Sequence, residues 1–356
     1  MSVSCQASSP TKPLIEPSED ASLFISHELR TPLASLQGAL GLISTGHFGE
    51  LSDQGQALLA AAMRSADRLT RLAGVIEKQP YTMQSLLSAE DMGALKMENE
   101  FTSIFDLDDF CLWYQPIVAV PAQRIVGFEA LARWRHPTQG WIAPSIFVPL
   151  AEKTGLIHQL GLDLLHKACR ALKTWQQTFS DITPFTLSVN LSTVQLRDPH
   201  LFEKIRAILE KVGIEPTSLA LEITESTFIE NNVIAQGTLR QLQHLGIQLY
   251  LDDFGTGYSS LARLQDLPLN TLKIDRAFVL TRNWTISEAV IKLAAKLKLD
   301  VIAEGIETVE DLQTLQAMGC EKIQGYLFSK PVDDQLATNL LLQQRLKQQP
   351  ARCHLI

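Results

Sequence analysis

Polar residues stand where short apolar runs end, at positions spread from 129 to 324. They are Glu129, Asn190, Glu222 followed by Glu225, the pair Asp252 and Asp253, Lys273 followed by Asp275, Glu304 followed by Glu307, and Gln324. Any one acid after a strand is ordinarily a helix N-cap or a solvated loop residue. The set needs a different account. Carboxylates gathered in one place repel each other unless cations compensate. Oxygen ligands with one Asn, and no Cys or His among them, select hard ions such as magnesium or manganese. Two such ions about 3.5–4 Å apart activate water and stabilise charge on a phosphoryl centre. The residue types therefore point to two-metal phosphoester chemistry, provided that the fold brings them together.

The elements that would do so are legible from about residue 110 onward. Apolar runs suited to buried strands cover 112–118, 125–132, 185–191, 219–223, 247–251, 271–274, 301–303 and 322–326. Helical patterns at 160–177, 200–212, 233–245, 286–298 and 309–318 alternate with them. Repeated strand-then-helix units of about 30 residues indicate a largely parallel sheet with helices packed outside. The number of strands fits a (β/α) barrel better than an open sheet, although periodicity leaves both standing. In a barrel the C-terminal strand ends converge on one pocket.

The N-terminal part reads differently. Residues 1–20 form a polar Ser/Pro-rich tail, expected to be disordered. Phe24, Ile25, Leu29, Leu33, Leu36, Leu40 and Ile43 recur at helical spacing. After the turn-rich stretch 44–49, so do Leu58, Leu59, Met63, Ala66, Leu69, Leu72, Ala73 and Ile76. The spacing predicts a helical hairpin over 21–80. Alone it has too little core, and it gains stability by dimerising into a four-helix bundle. Residues 81–97 read as a linker, 98–345 as the barrel domain and 346–356 as a C-terminal tail.

Composition narrows the function. The formal net charge of −8 weighs against non-specific binding to nucleic acid or to an anionic membrane. No apolar run approaches the roughly 18 residues of a membrane span, and the N-terminus lacks the pattern of a signal peptide. Cys5, Cys111, Cys169, Cys320 and Cys353 are scattered, which reads neither as a disulfide framework nor as a zinc site. A reduced cytoplasmic compartment is expected. Asp253-Phe254-Gly255 spells a kinase triplet, but no HRD catalytic loop or glycine-rich loop accompanies it. His136, His158, His166 and His200 read as surface or helix residues, and Trp134, Trp141 and Trp175 as core or rim.

Ordered motifs make the barrel segment specific: YQP at 114–116, GFEALARW around Glu129, FVPLAEKTGLI at 147–157, SVNLS at 188–192, LEITES at 221–226, LDDFGTGYSSL at 251–261, LKID at 272–275, AEGIET at 303–308 and QGYLFSKP at 324–331. Together they resemble the EAL domain family of cyclic di-GMP phosphodiesterases. The resemblance implies a (β/α)8 TIM-like barrel whose first strand runs against the others. The implied activity is hydrolysis of cyclic di-GMP to linear pGpG with magnesium or manganese. It also implies a first metal held by Glu129, Asn190, Glu222 and Asp252, a second shared by Asp252 and Asp253 with Glu304 nearby, and Lys273 beside the nucleophilic water. Glu225 would anchor the 252–260 loop, which couples metal binding to dimerisation in the family. Gln115 and Arg133 would meet substrate phosphate, with Leu131, Asp275 and Gln324 on the substrate side. The stretch from Lys273 to Glu304 looks a few residues shorter than in the family, around 280–285. A silent cyclic di-GMP receptor is the competing reading, and a dimeric phosphotransfer scaffold a further one.

FISHELRTPL at 24–33 resembles the phosphoacceptor box of histidine kinases, with His27, Glu28 and Pro32 matching. No ATP-binding domain lies between this hairpin and the barrel. Two readings of His27 follow from the resemblance: a dimerisation module that keeps the histidine, or a phosphoacceptor served by a separate kinase or response regulator. A homodimer is expected in either case.

Overall fold

The computed structural model describes residues 100–181, 185–224, 233–255, 264 and 267–348, with isolated positions at 40, 43 and 97. The chain divides into two compact units, Met1–Asn99 and Glu100–Ile356; the fold described is that of the second. The hairpin expected at 21–80, with His27, lies outside the described residues, as do Glu225 and positions 256–263.

The strands are β1 (Phe110–Ala119), β2 (Arg124–His136), β3 (Gly140–Ile142), β4 (Thr186–Asn190), β5 (Leu219–Thr224), β6 (Gln248–Phe254), β7 (Thr271–Ile274), β8 (Asp300–Ala303) and β9 (Lys322–Gln324). Their order runs β1-β9-β8-β7-β6-β5-β4-β2, and β2 pairs back to β1, closing an eight-stranded barrel with β3 attached outside the ring. β1 is antiparallel to both of its neighbours, whereas the pairings from β2 through β4 round to β9 are parallel. The expected inverted first strand is thus present. It follows from the short 120–123 link, which can only turn β1 straight back into β2; parallel neighbours need a crossover.

The helices are α1 (Pro144–Thr154), α2 (Ile157–Thr178), α3 (Leu201–Val212), α4 (Val233–Leu245), α5 (Arg276–Leu280), α6 (Trp284–Leu297), α7 (Val309–Ala317) and α8 (Asp334–Gln348). Helix α2 shows why they cover the barrel. Leu160, Leu164, Leu165, Ala168, Leu172 and Trp175 recur on one face and are buried. Helix α7 starts where Thr308 and Asp311 form a capping box, which satisfies two orphan N–H groups. Helix α8 ties the barrel's seam. The side-chain amide of Gln344 accepts from the Ile125 N–H at 2.5 Å and donates to the Ile125 carbonyl at 3.2 Å. This clamp sits at the irregularity in the β1–β2 register between Ile117 and Val118.

Three short or weakly patterned helices (α1, α5, α8) and strand β3 were not expected from periodicity, and β2 is longer than its apolar run. Between α5 and α6 only residues 281–283 intervene, with Arg282 in a left-handed conformation at φ 54°. His136 also departs from expectation. It is a buried strand residue whose Nδ1 accepts from the backbone N–H groups of Thr138 and Gln139. Trp134 and Trp175 are buried in the core, whereas Trp141 is 53% exposed. Phe101, Phe105, Phe110, Trp134 and Phe147 form an aromatic cluster beside the start of β1, in which Phe110 stacks on Trp134 at 5.6 Å.

Candidate active site

The strand ends do converge, and they converge on one ammonium group. Lys273, on β7, is fully buried. Its Nζ lies 2.5 Å from Glu222 (β5), 2.6 Å from Glu304 (just after β8), 3.2 Å from Asp252 (β6) and 3.4 Å from Glu129 (β2). Glu129 is held from two further sides. Asn190 at the end of β4 donates Nδ2 to its Oε1 at 3.0 Å, and Gln324 at the end of β9 donates Nε2 to its Oε2 at 2.6 Å. The same Gln324 nitrogen also lies 3.1 Å from Gln115 Oε1 on β1, and Gln115 Nε2 donates to the Ser329 carbonyl at 3.4 Å. Strands β1, β2, β4, β5, β6, β7 and β9 and the residue following β8 thus each place one side chain in the same cluster, as the barrel's parallel ends require.

Two glycines let the backbone come close enough to build it. A Cβ on Gly325 would collide with the Ile306 backbone, and one on Gly305 (φ 73°) with Arg276. Asp252 and Asp253 are neighbours on β6 and should face opposite ways. The β6–β7 register shifts between Leu251 and Phe254, and Asp253 is left-handed at φ 55°. Such an irregularity re-aims side chains, and aspartate tolerates that conformation better than most residues.

The electrostatics follow from this geometry. Burial alone would lower the Lys273 pKa, but Asp252, Glu129, Glu222 and Glu304 override it and hold the ammonium well above the ordinary lysine range. Burial likewise opposes the charge on Glu129, yet Lys273, Gln324 and Asn190 keep its carboxyl below the usual range. Glu222 and Glu304 are less well served. Burial and neighbouring acids push Glu222 well up, and burial, offset in part by Lys273, leaves Glu304 at about 8. Asp253 is raised to about 6 by burial, by Asp252 and by a hydrogen bond with Asp275. One ammonium thus leaves the ring of acids under-compensated.

Whether a hard cation fits can be tested on these atoms. Glu222 Oε1 and Asp252 Oδ1 are buried and lack a hydrogen-bond partner, as is Gln324 Oε1. Asp252 Oδ1 still meets the Lys273 ammonium at 3.2 Å, but buried oxygens without a hydrogen bond, such as Glu222 Oε1 and Gln324 Oε1, are costly and call for a donor or a cation. The donors are carboxylate and amide oxygens, the ligand chemistry of magnesium and manganese. Among the described residues no three Asp, Glu, His or Cys side chains close on one point at metal-ligand spacing; four acids close on the Lys273 ammonium instead. The chemistry fits a cation, and the side chains are here arranged around the lysine.

The remaining expected residues fall nearby but outside this ring. Leu131 and Arg133 lie two and four residues beyond Glu129 on β2. Arg133 is half-buried, its guanidinium 5.2 Å above the Trp113 ring and one N–H donated to the Ala132 carbonyl at 2.8 Å. Asp275 caps α5 by accepting from the Ala277 N–H, so the ordinary N-cap account holds for it. The reading from sequence missed Trp113 and the Ser329 carbonyl. The alternation on β1, which puts Trp113 on the face of Gln115, was the available signal for Trp113.

The chain belongs to the EAL domain family: residues 98–331 match it. Residues 23–74 match the His Kinase A (phospho-acceptor) domain. The chain is similar to the cyclic di-GMP phosphodiesterase NbdA of Pseudomonas aeruginosa, with 39% identity over 268 residues, 74% of this chain and 34% of that protein. Among solved structures, the PaMucR phosphodiesterase in complex with c-di-GMP shares 37% identity at a TM-score of 0.62, covering 69% of this chain and 98% of that one. The EAL enzyme Bd1971, bound to cAMP and cyclic di-GMP, shares 31% identity at a TM-score of 0.70, covering 77% of this chain and 75% of that one. The chain spans only 28% to 40% of the length of the curated relatives it matches. Among the described residues no helix is long and apolar enough to cross a membrane.

Proposed function

We propose that the barrel hydrolyses cyclic di-GMP to linear pGpG. The observation that carries this reading is the ring of Glu129, Glu222, Asp252 and Glu304 around Lys273, with no expected position replaced among those described. Glu129, Asn190, Glu222 and Asp252 would hold one divalent cation, and Asp252, Asp253 and Glu304 a second. When bound, magnesium or manganese supplies the positive charge that acidifies a water and neutralises the phosphoryl oxygens. The chain's own residues do the rest. Lys273 stays protonated and orients the attacking water by donating to it. Gln324 and Asn190 hold Glu129 in place by donating to its carboxylate. Arg133 offers a guanidinium fork to a phosphate. A receptor that only binds the nucleotide would not need Lys273 and the acids preserved together.

Turnover of cyclic di-GMP with magnesium or manganese, compared between the wild type and Glu129→Ala, tests the proposal. Hydrolysis lost in the variant supports it. A wild type that binds the nucleotide without turning it over sinks it in favour of the receptor.

The 23–74 match supports a second part of the proposal: domains at 21–80 and 98–345, with the hairpin dimerising and setting barrel activity. His27 would take a phosphoryl group from a separate kinase or response regulator. Deleting residues 1–80 checks the first point, and unchanged turnover with unchanged oligomeric state would refute it. Acid-labile label that requires His27, after incubation with cognate kinases and labelled ATP, checks the second.

A further inference from the structure

The face that carries Glu129 continues up the barrel wall past Arg133 to aromatic residues that the phosphoester chemistry leaves unused. Alternate residues of a strand share a face, so Leu131, Arg133 and Arg135 on β2 lie on the side of Glu129. On β1, Trp113 and Cys111 lie on the side of Gln115. Trp141 on β3 pairs with Arg135 and joins the same face. The rings of Trp113 and Trp141 meet edge to face, with centroids 5.8 Å apart and planes at 63°, and the Arg133 guanidinium lies over Trp113. Trp134 on β2 and Trp175 on α2 are 2% and 1% exposed; Trp141 stands 53% exposed beside a half-buried cation.

An exposed indole fixed beside a cation offers a flat apolar surface on which a ring can stack. Here the ring meets Trp113 edge to face while 53% of the residue stays exposed, and the neighbouring cation suits an anion. A flat π-system next to a phosphate is the pair these two groups recognise together. Arg133 stands four residues from Glu129, about 13 Å along the strand, a span that a dinucleotide bridges and a simple phosphate ester does not.

We propose that Trp141, steadied by Trp113, stacks on a purine of the substrate whose phosphate Arg133 holds, and that this contact selects a cyclic dinucleotide over a plain phosphodiester. The inference rests on the phosphodiesterase reading above and names the residue that recognises the base. The test uses the full chain with magnesium or manganese and two substrates, cyclic di-GMP and the purine-free diester bis(p-nitrophenyl) phosphate. Trp141→Ala should raise KM for cyclic di-GMP by about five- to a hundredfold, the usual range for losing one base stack. kcat should fall by less than KM rises, and the loss on the purine-free diester should be much smaller. Trp141→Phe, which keeps a ring, should recover most of the affinity. An unaltered KM in a wild-type background that turns over cyclic di-GMP overturns the stacking alone. So does an equal loss on both substrates, or a Phe variant no better than Ala. A wild type that neither binds nor hydrolyses cyclic di-GMP overturns the phosphodiesterase reading, and this inference with it.

Discussion

The inside of the barrel has two layers that lie two residues apart on the same strands. In the upper layer stand Glu222, Asp252, Lys273 and Glu304. Two residues earlier, on the same face, stand Ala220, Tyr250, Thr271 and Ile302. On β1, which runs the other way, Ile117 lies two residues after Gln115. Ala220, Tyr250, Ile302 and Ile117 form an apolar cluster of their own, with Val126 packed against it. The lower layer is sealed by packing, and the upper by a single ammonium among four acids. The difference shows how one scaffold separates packing from charge: a shift of two residues along a strand, about 7 Å, replaces a largely apolar plug with a ring of acids.

The largest effect should come from breaking the upper layer at its centre. Lys273→Met leaves buried carboxylates with no countercharge, and breaking buried charge pairs this way costs about 3–5 kcal/mol. Urea unfolding of the metal-free protein should show that loss, and added magnesium or manganese should recover part of it; equal stability with and without the cation would contradict the account. Glu129→Ala should follow. It removes a group held by three side chains and lowers turnover by more than about a hundredfold, beyond the loss usual for an outer-sphere residue, as steady-state assays would show. In the lower layer Ile302→Ala should behave oppositely. Thermal or urea unfolding should report a loss toward the lower end of about 2–5 kcal/mol, with kcat within a fewfold of wild type. The smallest effect is expected for Tyr250→Phe, which removes a hydroxyl that donates to Gln248 at 3.2 Å; about 0.5–1.5 kcal/mol is the scale for one such bond. If the two lower-layer variants abolished turnover while remaining folded, the separation of layers would fail.

Much of this was legible before the fold was in hand. The strands announce themselves because fully buried parallel strands read as apolar runs, and the acids at their ends stand out against those runs. Strand β3 and helix α8 did not. β3 has three residues, and α8 (DQLATNLLLQQRLKQ) presents a mixed face with no clear apolar stripe. The cluster's membership was readable, but its contacts were not. The resemblance implied a water beside Lys273, and nothing along the chain showed that the barrel also closes four acids on it. Likewise nothing local could reveal that Gln324 reaches Gln115 and Glu129, since that contact crosses the seam between the first and last strands. Asp275 shows the limit from the other side: an acid after a strand that serves as a helix cap.

That seam has a consequence for how the protein comes into being. β1 is made early, yet its partner β9 leaves the ribosome some 200 residues later, as their register Ile117↔Gln324 shows. Until then the first strand keeps one side unpaired, and contacts of such long sequence separation form slowly. Gln324 completes the support of Glu129 from the same late strand. A nascent chain therefore cannot give Glu129 its full set of partners before the barrel closes, and a half-made molecule would lack the Gln324 contact that the proposed chemistry relies on.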